Sequence, residues 1–170
     1  KTMLILASQS PRRREILTML GYEYICRPAR ADETIPAGME PGRAVELLAQ
    51  RKARAVLRTA GPDGLVLGSD TVVVLDGMIM GKPADEADAV RMLCSLSGRT
   101  HTVYTGVALL TRKRTRVFHQ TASVTFYLLT DEEIEAYVAT GEPMDKAGAY
   151  GIQGRGSAFV EGINGDFYTV

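Results

Sequence analysis

The stretch V-L-G-S-D-T-V-V-V-L, residues 66–75, decides the fold. Leu and Val precede a Gly-Ser-Asp, and the β-branched Thr71 to Val74 follow it, so it reads as a buried strand starting at Leu65. Asp76-Gly77 then marks a tight turn, and Met78 to Met80 completes a hairpin. Upstream, Gly42 to Ala60 carries Val45, Leu48, Ala49, Ala53 and Val56 on one stripe, the spacing of a long helix that Gly61-Pro62 ends. Downstream, Asp85 to Ser97 is helical, with Val90, Leu93 and Leu96 on one face. Thr100 to Leu110 and Arg116 to Leu128 read as two long strands joined by the exposed tip T-R-K-R-T.

The remaining segments fit around this centre. Met3 to Ala7 is a short buried strand, Ser10 suits a helix N-cap, and Pro11 suits the first helical position. That helix runs to Leu20 and closes at Gly21, and a second strand follows at Tyr22 to Arg27. Residues 28–41 are loop. Thr130 opens a later helix as a capping box with Glu133, burying Ile134, Tyr137 and Val138. From Gly141 the chain is Gly-rich, with short strands expected at Ala158 to Val160 and Phe167 to Val170. Val170 falls in mid-strand on this reading, which suggests that the natural protein continues. The fold class is α/β, with a mixed sheet, long antiparallel central strands and flanking helices.

The bulk composition narrows the function. A chain of 170 residues suits one domain or two small lobes. It can bury roughly 70% of its unfolded surface and needs no staples. Twenty basic residues balance twenty acidic ones, which argues against a nucleic-acid polymer or a membrane surface as partner. No apolar run reaches the length of a membrane span, and the N-terminus is too short in apolar residues for a signal peptide. Cys26 and Cys94 form no C-x-x-C pair and read as reduced core thiols of a cytosolic protein.

Several residues stand out chemically. In S-Q-S-P-R-R-R, residues 8–14, a strand end gives two hydroxyls and then a helix start bearing Arg12 and Arg13. Helix N-termini attract phosphate, and cations there oppose the dipole until an anion binds. A capped surface helix with solvated arginines fits the spacing equally well. Lys52 sits on the apolar stripe of its helix, opposite Arg51, Arg54 and Arg58, and must snorkel or reach a partner. Asp70 interrupts the most apolar stretch of the chain, where a carboxylate needs a partner, a metal or backbone N–H groups. It is therefore a candidate metal ligand or base for water.

Lys82 of G-K-P lies twelve residues beyond Asp70, and the hairpin could bring the two together. Asp32-Glu33 could add a carboxylate to a magnesium site, although such loop pairs are usually solvated. The run G-A-Y-G-I-Q-G-R-G, residues 148–156, permits close backbone approach to a ligand but matches neither nucleotide-binding glycine fingerprint. His101 and His119 have no metal-ligand spacing, which disfavours a zinc site or a Ser-His-Asp triad.

Taken in order, these segments resemble the Maf/septum-formation-inhibitor-like family. The resemblance rests on L-I-L-A-S-Q-S-P-R-R-R-E-I-L, D-E-T, R-K-A, V-L-G-S-D-T-V-V and G-K-P. It extends to L-S-G-R-T-H-T-V-Y-T-G-V-A-L and D-K-A-G-A-Y-G-I-Q-G, and so covers almost the whole chain. It implies a single domain over residues 1–170, with a strongly twisted sheet and two lobes around a deep cleft. It implies a cytoplasmic homodimer that cuts nucleoside triphosphates to monophosphate and pyrophosphate with Mg²⁺ or Mn²⁺. Ser8, Ser10, Arg12 and Arg13 would then form the phosphate loop, and Glu33, Lys52, Asp70, Lys82 and Gln153 would complete the pocket. Asp70, Glu33 and Lys82 would be the catalytic residues, with Asp70 and Glu33 on the metal.

Arg12, Thr71 and Gln153 resemble the branch that prefers dTTP and UTP, with modified pyrimidine triphosphates as further substrates. A sister branch acting on 7-methyl-GTP tends to carry an aromatic residue in place of Arg12. A non-catalytic nucleotide-binding regulator of cell division is the other alternative. Family members continue past Val170 through a G-L-P turn and a terminal helix, which this sequence does not include.

Overall fold

A computed structural model describes residues 2–170. The described residues form a mixed sheet in the order β2-β1-β3-β5-β6-β7, with β4 paired to β3. The strands are β1 Met3–Leu6, β2 Tyr24–Cys26, β3 Gly64–Leu75, β4 Met78–Met80, β5 Thr100–Leu110, β6 Thr115–Phe126 and β7 Val160–Asn164. The helices are α1 Pro11–Met19, α2 Pro41–Leu57, α3 Glu86–Leu96 and α4 Asp131–Ala139. The mixed α/β expectation holds. The chain divides into two compact units, one of residues 2–70 and 105–120 and the other of 71–104 and 121–170.

In the first unit β1 lies parallel to both β2 and β3, with Ile5 opposite Ile25 and Val66. Parallel pairing requires crossovers, and α1 and α2 supply them. The core joins Ile5, Ala7 and Val66 to the inner stripe of α2, Ala49, Ala53 and Val56. Glycine lets α2 lie directly on the sheet. A Cβ at Gly68 would stand 2.3 Å from the Ala49 carbonyl oxygen, and one at Gly106 2.3 Å from that of Val45. Backbone cannot move aside as a side-chain tip can, so both positions exclude any larger residue. The Ser69 hydroxyl donates to the Gly106 carbonyl at 2.9 Å, satisfying a buried polar group between β3 and β5.

In the second unit the end of β3 turns back through Asp76 (φ 51°) and Gly77 (φ 75°), and Val74 pairs with Ile79. Positive φ at both central residues is what a two-residue hairpin requires, which explains the D-G signal. Asp85 caps α3 by accepting from the Asp88 N–H at 2.7 Å. Thr130 and Glu133 make the expected capping box on α4, worth about 1 kcal/mol. Leu93, Leu96, Val103, Val124, Phe126, Ile134, Tyr137 and Phe159 form the core. Within it, His101 stacks edge-on against Phe126 and Tyr150, and its Nε2 meets the Tyr150 hydroxyl at 2.6 Å. Burial pulls the His101 pKa down to about 4 and pushes the Tyr150 hydroxyl up.

The C-terminal expectations need correction. Residues Arg155–Phe159 form a 3-10 turn, and the strand begins only at Val160, where pairing with Phe126 starts. Phe167–Thr169 is also a 3-10 turn, not a strand. Local bonds win there: the Val170 N–H donates to the Phe167 carbonyl at 3.1 Å, while Phe167 and Tyr168 stay exposed. Val170 therefore closes a turn and does not lie in mid-strand. Cys94 is exposed, and only Cys26 is partly buried, so the core-thiol expectation fails for Cys94. No helix among the described residues is long and apolar enough to cross a membrane.

Candidate active site

Parallel pairing builds the first part of the site. β1 and β3 run in the same direction, with Leu6 opposite Leu67, and the Ala7 N–H still bonds the Leu67 carbonyl at 2.8 Å. Residues immediately after β1 therefore lie level with Gly68 to Asp70 of β3. The carboxyl end of β1 places Ser8 and the start of α1 beside the middle of β3, where Asp70 lies just beyond the last parallel pair, Leu6 opposite Leu67.

Ser8 is buried, and its hydroxyl accepts from the Ser10 N–H at 3.1 Å and from Arg13 Nη1 at 3.2 Å. Ser10 occupies the N-cap position of α1, but its side chain makes no capping bond. The first turn contains no acid, so the positive end of the helix and the Arg12 and Arg13 charges add together. Burial lowers the Arg13 pKa; Asp70 and Glu33 act against this, and Arg12 acts with it. A guanidinium keeps its proton in proteins. The two carboxylates thus lie close enough to offset part of the cost of burying it.

The second part comes from α2. Lys52 points inward from the apolar stripe, donates to Asp70 Oδ1 at 2.6 Å and forms an ion pair with Glu33 Oε1 at 3.1 Å. The Lys52 and Asp70 side chains are only 15% and 13% exposed, while Glu33 is 59% exposed. Lys52 therefore reaches a partner and does not snorkel, and Asp70 is paired as its apolar surroundings demand. Ser8, Arg13, Glu33, Lys52 and Asp70 form one constellation of alternating charge within the first unit, with half-buried Arg12 beside it.

Hydropathy missed Arg51, which it assigned to the solvent side of α2. Its Nη1 donates to the Thr34 carbonyl at 2.7 Å and the Asp32 carbonyl at 3.2 Å, tethering the D-E-T loop that presents Glu33. Asp32 itself accepts from the Thr34 N–H at 2.9 Å, and its hydrogen bonds with Thr34 hold its pKa below the usual carboxylate range. Of the D-E pair, Asp32 shapes the loop and Glu33 faces the site. No local pattern marks Arg51, because the loop it holds lies 17 residues away.

The other expected site residues belong to the second unit. Thr71 is half-buried on β3, and Lys82 and Gln153 are exposed. The Gly148 N–H donates to the Gly81 carbonyl at 3.2 Å, joining the glycine-rich segment to the G-K-P turn. A hollow of about 390 Å³ runs along α4, lined by Tyr127, Leu129, Ala136, Tyr137 and Phe159 among others. None of the expected site residues lines it.

Comparison with known proteins follows the same outline. The solved structure of the Staphylococcus aureus Ham1 protein matches with TM-score 0.54 at 17% identity, over 74% of this chain and 72% of that one. A HAM1 protein from Coxiella burnetii matches with TM-score 0.51 at 19% identity, over 74% and 73%. At such identities the likeness is one of fold. In sequence, the dTTP/UTP pyrophosphatase of Moorella thermoacetica is 56% identical over 170 residues, spanning 98% of this chain and 87% of its own length. The protein of the same name from Bacillus cereus strain AH820 is 50% identical over 167 residues, with the same two coverages. The model of the family described as Maf-like protein matches residues 3–170, and this chain belongs to that family.

Proposed function

We propose that this chain hydrolyses dTTP and UTP between the α- and β-phosphates, releasing the monophosphate and pyrophosphate. One observation carries the reading. Asp70 and Glu33 share the Lys52 ammonium within reach of the Arg13 charge, in a chain that is half identical or better to proteins named for this activity. A triphosphate brings several negative charges that need fixed cations, and a carboxylate beside them can orient the attacking water and take its proton.

The roles divide by chemistry. The start of α1, with Arg12 and Arg13, binds phosphate oxygens, and Ser8 holds the Arg13 fork in place. Asp70 orients a water molecule and accepts its proton as the oxygen bonds to the α-phosphorus. The α–β bridging oxygen leaves with pyrophosphate. Lys52 holds Asp70 in the free protein and neutralises phosphate charge when substrate enters. Lys82, Thr71 and Gln153 are assigned to the same nucleotide, Lys82 to its charge and the other two to its selection.

The carboxylates also fit a divalent ion. Asp70 and Glu33 already converge on one cation, and Mg²⁺ is commonly held by one or two carboxylates together with substrate phosphates. Among the described residues no group of three or more His, Cys, Asp or Glu is placed to hold an ion without substrate. Asp70 and Glu33 would hold Mg²⁺ or Mn²⁺ once the triphosphate supplies further oxygens. The ion would then add positive charge at the phosphoryl oxygens as negative charge develops. The same reading makes the protein a cytoplasmic homodimer, a state that sedimentation analysis tests.

The deciding experiment is a panel of canonical and modified triphosphates with Mg²⁺ and with Mn²⁺, scored for both products. Fast turnover of dTTP and UTP with equimolar pyrophosphate is expected. Release of inorganic phosphate alone, or turnover confined to 7-methyl-GTP, refutes the assignment.

A further inference from the structure

Gln153 is exposed, yet the backbone around it is held from both sides by one pair of side chains. The Tyr137 hydroxyl of α4 donates to Glu142 Oε1 at 2.9 Å and accepts from the Gly151 N–H at 3.2 Å. The Glu142 carboxylate then accepts from the Arg155 N–H at 3.2 Å through Oε2 and from the Gly156 N–H at 3.3 Å through Oε1. Amides two residues before Gln153 and two and three residues after it therefore end on a single hydrogen-bonded Tyr-Glu pair. The loop is pressed against that pair: a Cβ at Gly154 would lie 2.3 Å from Glu142 Oε1. Lys146 Nζ donates to the Glu142 carbonyl at 2.6 Å and fixes the backbone from which the carboxylate projects.

We infer that Glu142, acting with Tyr137, is a positioning residue for Gln153 and so sets how tightly the enzyme holds its pyrimidine nucleotide. The inference deepens the proposed function, since it rests on Gln153 touching the nucleotide. A rigid loop presents a side-chain amide in one direction at little entropic cost on binding, while a loose loop must be ordered each time. Burial of the carboxylate opposes its ionisation, but the bonds from Tyr137, Arg155 and Gly156, with the Lys146 charge, outweigh it and lower the pKa. The acceptor is thus charged, which strengthens each amide bond.

Glu142→Gln is the informative change, because it keeps the shape and turns one acceptor into a donor. Whichever way the amide settles, an N–H₂ faces a backbone N–H that formerly had an acceptor. The expected result is a KM for dTTP and UTP raised about 5- to 10-fold with kcat within about 2-fold. Tyr137→Phe, which retains the ring packing, should give a smaller rise of the same kind. Combined with Gln153→Ala, Glu142→Gln should add nothing to the loss caused by Gln153→Ala alone. Amide exchange at Gly151, Arg155 and Gly156 should quicken in Glu142→Gln while α3 and α4 keep their protection.

An unchanged KM in Glu142→Gln, a fall in kcat alone, or a full multiplication of the two losses overturns the inference while leaving the activity intact. A wild-type protein that releases no pyrophosphate from dTTP or UTP overturns the functional reading itself. The two failures are therefore distinct.

Discussion

Replacing Lys52 by methionine tests the arrangement at the heart of the site. The ammonium stands 2.6 Å from Asp70 Oδ1, and both side chains are about one-seventh exposed. Methionine fills much the same volume on the apolar stripe of α2, so packing changes little. What changes is Asp70, which stays on β3 with no ammonium beside it. Removing one member of a fully buried pair costs about 3–5 kcal/mol. The residual exposure here points to the lower end, about 3 kcal/mol. The contact to Glu33 adds little, because that carboxylate is 59% exposed and water screens it.

Lys52→Met alone should thus lose about 3 kcal/mol in urea unfolding, with the slope unchanged. Adding Asp70→Asn removes the charge that Lys52 no longer pairs, and the double variant should recover about 1 kcal/mol of that loss, the rest being offset because Asp70 also compensates the buried Arg13. The non-additivity is the signature, since two independent losses would sum. A Lys52→Met protein within about 0.5 kcal/mol of wild type, or a double variant less stable than Lys52→Met, refutes the reasoning that the pair is buried and mutually dependent.

Asp70→Asn by itself should lower kcat at least about 100-fold while nucleotide binding, followed by calorimetry, survives; wild-type turnover would remove Asp70 from the chemistry. Stability should fall as pH drops through the His101 window. Its folded pKa of about 4 lies below the ordinary 6.5, so between these values the unfolded chain takes up a proton that the fold refuses. The contribution is fully present above 6.5, falls by about 3 kcal/mol down to about 4, and levels off below. In His101→Gln, which retains a polar partner for Tyr150 but does not titrate, urea unfolding at several pH values should show that slope removed. Gly68→Ala should force α2 away from β3 and cost about 1–3 kcal/mol. Lys52 should then lose its grip on Asp70, and both stability and turnover should decline; an unaffected Gly68→Ala protein would contradict the close approach at Ala49.

Local sequence determined much of this molecule because the governing interactions are short-range. Asp76-Gly77 turns the hairpin because both residues adopt positive φ, and the Thr130–Glu133 box starts α4 because its partners are three residues apart. The strands Gly64–Leu75 and Thr100–Leu110 follow from runs of residues that fit a pleated, buried surface. The resemblance picked out Asp70, Lys52, Glu33 and Arg13, and hydropathy alone already marked Asp70 and Lys52 as charges in apolar company.

Tertiary structure decided the rest. Lys52 and Asp70 are 18 residues apart, and only the packing of α2 on β3 at Gly68 turns two isolated burial problems into one ion pair. Arg51 and Glu142 look like ordinary surface charges until the loops they hold are folded against them. Residues 167–170 resemble a strand in composition, but short-range bonds, among them the Val170 N–H to the Phe167 carbonyl, curl them into a turn. Propensity and spacing act within a few residues, whereas desolvation and charge pairing depend on what the folded chain brings alongside.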